Sequence, residues 1–177
     1  RAAPTSTLTI GTPKLTDDKG AIWMTPKTQL TLAADDAKGV GVREIFIEVK
    51  GARAPSVYQT PITLDGLADG PYQIITHAVD QLGNAESTKT QEIHLDATAP
   101  KTSLVIGSPQ SQVDGVTAVY ISSQTPLSFT AATDRNDLDH IEYRINDVAW
   151  QPAEDIVLPT EGNYTIYFRS YDTLGNV

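Results

Sequence analysis

The sequence predicts an all-β protein made of two tandem β-sandwiches. Three observations predict it. The chain of 177 residues repeats itself once along its length. Its apolar residues alternate with a period of two, with no sustained helical stripe. Its short apolar segments are bounded by Gly, Pro and Asp clusters, as strands joined by tight turns are.

The repeat is read from the N-terminus. Pro4-Thr-Ser-Thr-Leu-Thr-Ile-Gly11 matches Pro100-Lys-Thr-Ser-Leu-Val-Ile-Gly107, 96 residues further on. From Ala2 to Pro13 against Thr98 to Pro109, six of twelve positions are identical. Ala21-Ile-Trp-Met-Thr matches Ala118-Val-Tyr-Ile-Ser. In the alternating segment Gln29-Leu-Thr-Leu-Ala, Leu30 and Leu32 match Leu127 and Phe129. In Glu44-Ile-Phe-Ile-Glu-Val-Lys, Ile45, Ile47 and Val49 match Ile141, Tyr143 and Ile145. Turn clusters such as Asp17-Asp-Lys-Gly20 and Asp65-Gly66 separate these segments.

The block beginning at Gly70 closes the repeat. Gly70-Pro-Tyr-Gln-Ile-Ile-Thr-His-Ala-Val-Asp-Gln-Leu-Gly-Asn84 shares seven of fifteen positions with residues 162–176, including the whole D-x-L-G-N. Tyr72 and Tyr164 each follow an acid and a glycine at the start of this long strand. An immunoglobulin-like sandwich carries a tyrosine at that corner, its hydroxyl bonded to the chain just upstream. Ile74 and Ile166 then take the core position that a disulfide cysteine fills in antibody domains, and Ile47 or Tyr143 stands in for the buried tryptophan. In the first copy Thr88 to Leu95 reads as the last strand, whereas Val177 aligns with Ala85. The expectation is two immunoglobulin-like sandwiches, residues 1–97 and 98–177, the second without its last strand. Either the native chain runs on past Val177 or that sandwich has an open edge, which invites pairing with another chain.

Composition limits the function. With 22 acidic and 13 basic residues the net charge is −9, which argues against nucleic acid because phosphates in number would go unneutralised. No apolar run approaches the ~20 residues that span a bilayer, so no direct membrane insertion is expected. The absence of cysteine excludes disulfides, thiolate zinc sites and cysteine nucleophiles.

The D-x-L-G-N turn followed by Leu95-Asp-Ala-Thr-Ala-Pro100 resembles the tandem bacterial Ig-like repeats of large secreted and surface proteins. There a D-x-x-G-N turn precedes the last strand, and a D-x-T-A-P-type linker joins modules. The resemblance covers nearly the whole chain. It implies an extracytoplasmic chain (secreted, cell-surface or periplasmic) acting as a non-catalytic structural or adhesive spacer, with the neighbouring domains of a longer parent chain as partners. It also admits an accessory module of a secreted enzyme, binding carbohydrate or protein. A third possibility is a subunit of a strand-exchanging surface assembly.

Four groups of residues are weighed for chemistry. In some resembling adhesin repeats, linker and turn carboxylates hold Ca²⁺, which singles out Asp80, Asp96 and Asp172 as calcium candidates, Asp80 and Asp96 approaching the junction. The alternative for Asp80 and Asp172 is turn chemistry, in which Asp and Asn accept backbone N–H bonds and Gly supplies a positive φ. No cofactor is otherwise required. The acidic segment Asp134-Arg-Asn-Asp-Leu-Asp139 lacks the spacing and the glycine of an EF-hand, and reads as a solvated loop. If Tyr164, Ile166 and Phe168 face the core, Tyr167, Arg169 and Tyr171 face outward with Glu142 and Arg144, as a candidate surface for a glycan or a surface protein. The alternative is cross-strand pairing that stabilises the sheet. Catalysis is not expected: His77, His94 and His140 have no histidine at the matching position of the other copy, and no nucleophile elbow or phosphate loop is present.

Overall fold

In the computed structural model, which describes residues 2–154, 156, 158 and 160–177, the chain is an all-β sandwich protein with no helix among the described residues. It divides into two compact units, Arg1–Ala97 and Thr98–Val177.

Unit 1 contains β1 (Thr5–Ile10), β2 (Lys14–Thr16), β3 (Ile22–Met24), β4 (Leu30–Asp35), β5 (Val42–Val49), β6 (Arg53–Val57), β7 (Gly70–Asp80) and β8 (Lys89–Leu95). Strands β1 and β4 form one sheet. The other is six-stranded, in the order β2-β3-β8-β7-β5-β6. All its pairs are antiparallel except β3 with β8. The alternation read from the sequence sets which side chains meet. Ile10, Leu30 and Leu32 from the small sheet pack against Met24, Ile47, Val49, Ile74, Ile93 and Leu95 from the large one, with Leu64 closing the core. Period-two strands can bury one face each in this way without exposing backbone.

Unit 2 contains β9 (Lys101–Ile106), β10 (Gln110–Gln112), β11 (Val119–Ile121), β12 (Leu127–Ala132), β13 (Leu138–Ile145), β14 (Gln151–Pro152) and β15 (Ile166–Asp172). Its sheets are β9 with β12, β10 with β11, and β14-β13-β15. The two units use one register. Val42 pairs with Asp80 and, after a bulge, Glu44 with Val79; Leu138 pairs with Asp172 and, after the same bulge, His140 with Tyr171. Small details recur: Thr28 Oγ1 donates to the Pro13 carbonyl at 2.7 Å, and Thr125 Oγ1 donates to that of Pro109. The core of unit 2 is aromatic, with Phe129 of β12 lying 5.7 Å from Tyr143 and 5.4 Å from Phe168 between ring centroids.

The tyrosine corner is formed in both copies. The Tyr72 hydroxyl donates to the Ala68 carbonyl at 3.0 Å, and that of Tyr164 to the Thr160 carbonyl at 2.7 Å. Ile47 and Tyr143 are both buried, at the same point of β5 and β13.

The units differ in strand order. In unit 1, β8 lies between β7 and β3. Among the described residues of unit 2, no strand lies between β15 and β11. Ile93 and Leu95 of β8 are 0% and 1% exposed and fill the centre of the unit 1 core. Truncating such a residue removes transfer free energy and leaves a cavity. Ile93→Ala is therefore expected to destabilise unit 1 by about 2–5 kcal/mol, read as a lower urea midpoint at unchanged slope.

Candidate functional site

The D-x-L-G-N turns are built alike. After β7, Asp80 Oδ1 accepts the N–H groups of Leu82 and Asn84, both at 2.8 Å, and Oδ2 accepts Asn84 Nδ2 at 2.7 Å. After β15, Asp172 Oδ1 accepts those of Leu174 and Asn176 at 2.8 and 2.9 Å, and Oδ2 accepts Asn176 Nδ2 at 2.7 Å. Gly83 and Gly175 take φ of 87° and 86°, the left-handed conformation that a side chain would resist. Both carboxylates are buried and engaged within their own turns. The Asn84 side chain first, with the backbone N–H groups of Asn84 and Leu82 behind it, holds the Asp80 carboxyl below its ordinary value.

Asp80 and Asp96 do not approach each other, contrary to the expectation that both lie at the junction. Gly70 of β7 pairs with Leu95, so Asp96 adjoins the start of β7 and Asp80 lies at its end. At ~3.3 Å per residue the two are separated by about 30 Å. Asp96 is buried, and its N–H donates to the Met24 carbonyl at 3.0 Å. Within unit 2, the loop before β13 brings a carboxylate oxygen of Asp137 within 4.8 Å of one of Asp172. Asp137 also pairs with Arg135 and receives its own N–H bond from Thr133 Oγ1. Calcium takes 6–8 oxygens, more than these two carboxylates offer.

Sequence reasoning missed a third carboxylate. Glu86, just past the first turn, is 8% exposed at its side chain. Its Oε1 accepts the N–H groups of Ser6 in β1 and Ala78 in β7, both at 2.9 Å, and Oε2 lies 3.0 Å from Lys89 Nζ. One side chain thus ties the two sheets of unit 1 together. Burial raises its pKa, but the hydrogen bonds from Ser6 and Lys89 outweigh burial and leave it lowered. The only sequence signal was an acid placed directly after a strand and turn, which is a common sight on any surface.

The outward residues Tyr167, Arg169 and Tyr171 are brought together as the alternation predicts. Opposite them on β13 stand Arg144, Glu142 and His140. Trp150, just ahead of β14, completes the surface and was not foreseen. The Arg144 guanidinium lies 4.4 Å from the Tyr167 ring centre and 5.3 Å from that of Trp150. The Arg169 guanidinium lies 4.1 Å from Trp150 and 5.2 Å from Tyr171. His140 stacks on Tyr171 at 4.6 Å. The result is one continuous row, Tyr167–Arg144–Trp150–Arg169–Tyr171, of alternating ring and cation, with the His140 ring stacked at its end. Arg169 also donates through Nε and Nη2 to Glu142 Oε2, at 2.9 and 2.7 Å. Each cation–π contact of a partly exposed kind is worth roughly 0.5–1 kcal/mol. Unit 1 carries Phe46 stacked on His77 at 4.8 Å where unit 2 carries Glu142 and Arg169.

The histidines serve as ring partners: His77 on Phe46, His94 on Trp23 and His140 on Tyr171. A shallow depression bordered by Val49, Arg53, Tyr58 and Ile62 in unit 1 has its cation occupied, since Arg53 donates to the Thr63 and Asp65 carbonyls. No protein-family model and no curated protein matches the chain.

Because Asp80 and Glu86 are held below their ordinary values when folded, the stability they add is present above the unfolded carboxylate range. It is lost as pH falls through the depressed folded values. Glu86→Gln is expected to lower the melting temperature at pH 7 and to flatten its decline on acidification, measured by melting across a pH series.

Proposed function

We propose that the chain is a non-catalytic pair of immunoglobulin-like modules from a larger extracytoplasmic protein of the bacterial surface-repeat type. Its work is structural: it holds neighbouring domains, or a surface-bound region, apart. The observation that supports this reading best is the repetition of one scaffold at the level of individual hydrogen bonds, from the turn carboxylates to the tyrosine corners. The buried turn carboxylates act as structural ties. Within each unit the central antiparallel ladder, β5 with β7 or β13 with β15, resists separation of its strands. Cell fractionation and surface proteolysis of the source organism test the location. Recovery in the extracytoplasmic fractions, within a polypeptide much heavier than 19.1 kDa, is expected. A short cytoplasmic polypeptide overturns the reading.

A second reading rests on the ring-and-cation row of unit 2. Tyr167 is 43% exposed at one end of the row, so part of its surface is open to a flat partner such as a sugar ring or a planar side chain. This supports a glycan- or protein-binding accessory role for the same module. Trp150→Ala and Tyr167→Ala are each expected to weaken retention on a glycan array or on a surface-protein pull-down by about tenfold, the weight of one lost aromatic contact of ~1.4 kcal/mol. Equal retention by both variants and the parent chain sinks this reading, and leaves the row as cross-strand stabilisation of the sheet.

A further inference from the structure

We propose that the ring-and-cation row of unit 2 is a receptor for a carboxylate-bearing polysaccharide: the Arg144 guanidinium holds a uronic carboxylate, and the open part of Tyr167 lies against the sugar ring that carries it. This rests on the binding reading given above for the same row and narrows it to one chemical class. The two guanidiniums of the row differ in what they have left to offer. Arg169 commits Nε and Nη2 to Glu142 Oε2, at 2.9 and 2.7 Å. Arg144 forms no hydrogen bond or ion pair among the described residues, and its buried Nε meets no acceptor there. Rings hold it instead, Tyr167 at 4.4 Å and Trp150 at 5.3 Å between guanidinium and ring centre.

A guanidinium carries five N–H donors in a planar fork that matches a carboxylate. Rings on its flanks fix its position without engaging those donors, so little ordering remains to be done when an anion arrives. Unit 1 supplies an internal contrast. Arg144 pairs across strands with Tyr167, and at the matching place of unit 1 Glu48 pairs with Ile75. The charge is reversed while the backbone register is kept. Cross-strand stabilisation alone does not call for an arginine at this position, since unit 1 forms the same ladder with an acid there. The net charge of −9 does not prevent an anion from docking. Exposed charges more than about 8–10 Å away are largely screened at physiological salt, and Glu142, the acid of this face, is paired with Arg169.

The chemistry and the size of the face favour a uronic sugar over an acidic protein. A uronic acid bears its carboxylate on the sugar ring itself, so a charge and an apolar ring face are presented side by side. Arg144 and the exposed part of Tyr167 stand side by side in the same way. An Asp or Glu side chain has no ring face and would engage Arg144 alone. A stable protein interface takes about 20–30 residues a side around a broad aromatic and apolar centre. Of the three aromatic rings in the row only Tyr167 is exposed, with Trp150 and Tyr171 half-buried, which leaves room for a sugar ring and little more.

The test is affinity electrophoresis of the whole 177-residue chain through polygalacturonate, alginate, methyl-esterified polygalacturonate and poly-glutamate. Retardation by at least one of the two uronates is expected, about tenfold stronger than by the ester or by poly-glutamate. Arg144→Gln is expected to lower affinity for that uronate by about tenfold, the weight of one charge-assisted bidentate contact, and to leave the weak affinity for the ester unchanged. Arg144→Glu is expected to abolish retardation by the uronate, and Glu48 at the matching position of unit 1 indicates that the ladder accepts it. Tyr167→Ala is expected to weaken binding to uronate and ester alike. Equal affinity for uronate and ester overturns the carboxylate assignment while leaving glycan binding by the row in place. Stronger retardation by poly-glutamate overturns it in favour of an acidic protein. No retardation by either uronate, or retardation that Arg144→Gln leaves unchanged, overturns it as well.

Discussion

The ladder between β7 and β8 decides how dry the core of a unit is. In unit 1 it extends β7 to its full length, carries Ile93 and Leu95 into the centre, and links β7 onward to β3. Backbone pairing and side-chain burial are coupled here, because the residues that hydrogen-bond to β8 alternate with the side chains that its apolar positions cover. Among its described residues, unit 2 keeps the central pair and its bulge and shows no counterpart of this ladder. Its β15 starts later, at Ile166, and Ile121, Leu127 and Ile166 remain partly exposed while Tyr143 is buried.

The turn after the central strand supplies the second constraint. A buried aspartate costs free energy unless its oxygens are satisfied, and Asp80 and Asp172 each gather two backbone N–H groups and an asparagine amide. The glycine makes that geometry accessible without strain. In unit 1 the chain that leaves this turn goes straight into Glu86, whose carboxylate bonds to β1 and β7 at once. The turn thus aims the following segment so that the opposite sheet is tied down before β8 begins.

Much of the fold was legible in the sequence because it rests on local rules. Alternation marked β4, β5, β13 and β15, and the repeat located the boundary between copies. The short strands β2, β6, β10 and β14 were illegible for a physical reason: their side chains are largely exposed, so no apolar pattern marks them, and only backbone pairing to a neighbour defines them. The outward row was half legible. Tyr167, Arg169 and Tyr171 follow from alternation within one strand, whereas Trp150 reaches the same face only through the pairing of β13 with β14. Glu86 was missed because its partners Ser6 and Ala78 are distant in sequence or on another strand, and nothing local in an acidic residue announces burial. The supposed nearness of Asp80 and Asp96 failed because a linker residue and a turn residue are close in sequence but sit at opposite ends of a long strand.

The two outer faces show where the repeats are free to differ. At one cross-strand position, unit 1 stacks Phe46 on His77 and unit 2 pairs Glu142 with Arg169. Both solutions satisfy the same geometric requirement, two side chains side by side on a solvated face, through different chemistry. The inward positions differ too, with Thr76 and Ile47 of unit 1 standing where unit 2 has Phe168 and Tyr143, but there each set must fill its own core. In unit 2 the ion pair in turn places Arg169 against Trp150 and Tyr171, so the exchange of one pair seeds a row of rings and cations that unit 1 has no means of building. The turns are built alike in both units, so the solvated layer is where the second module differs most in its exposed chemistry.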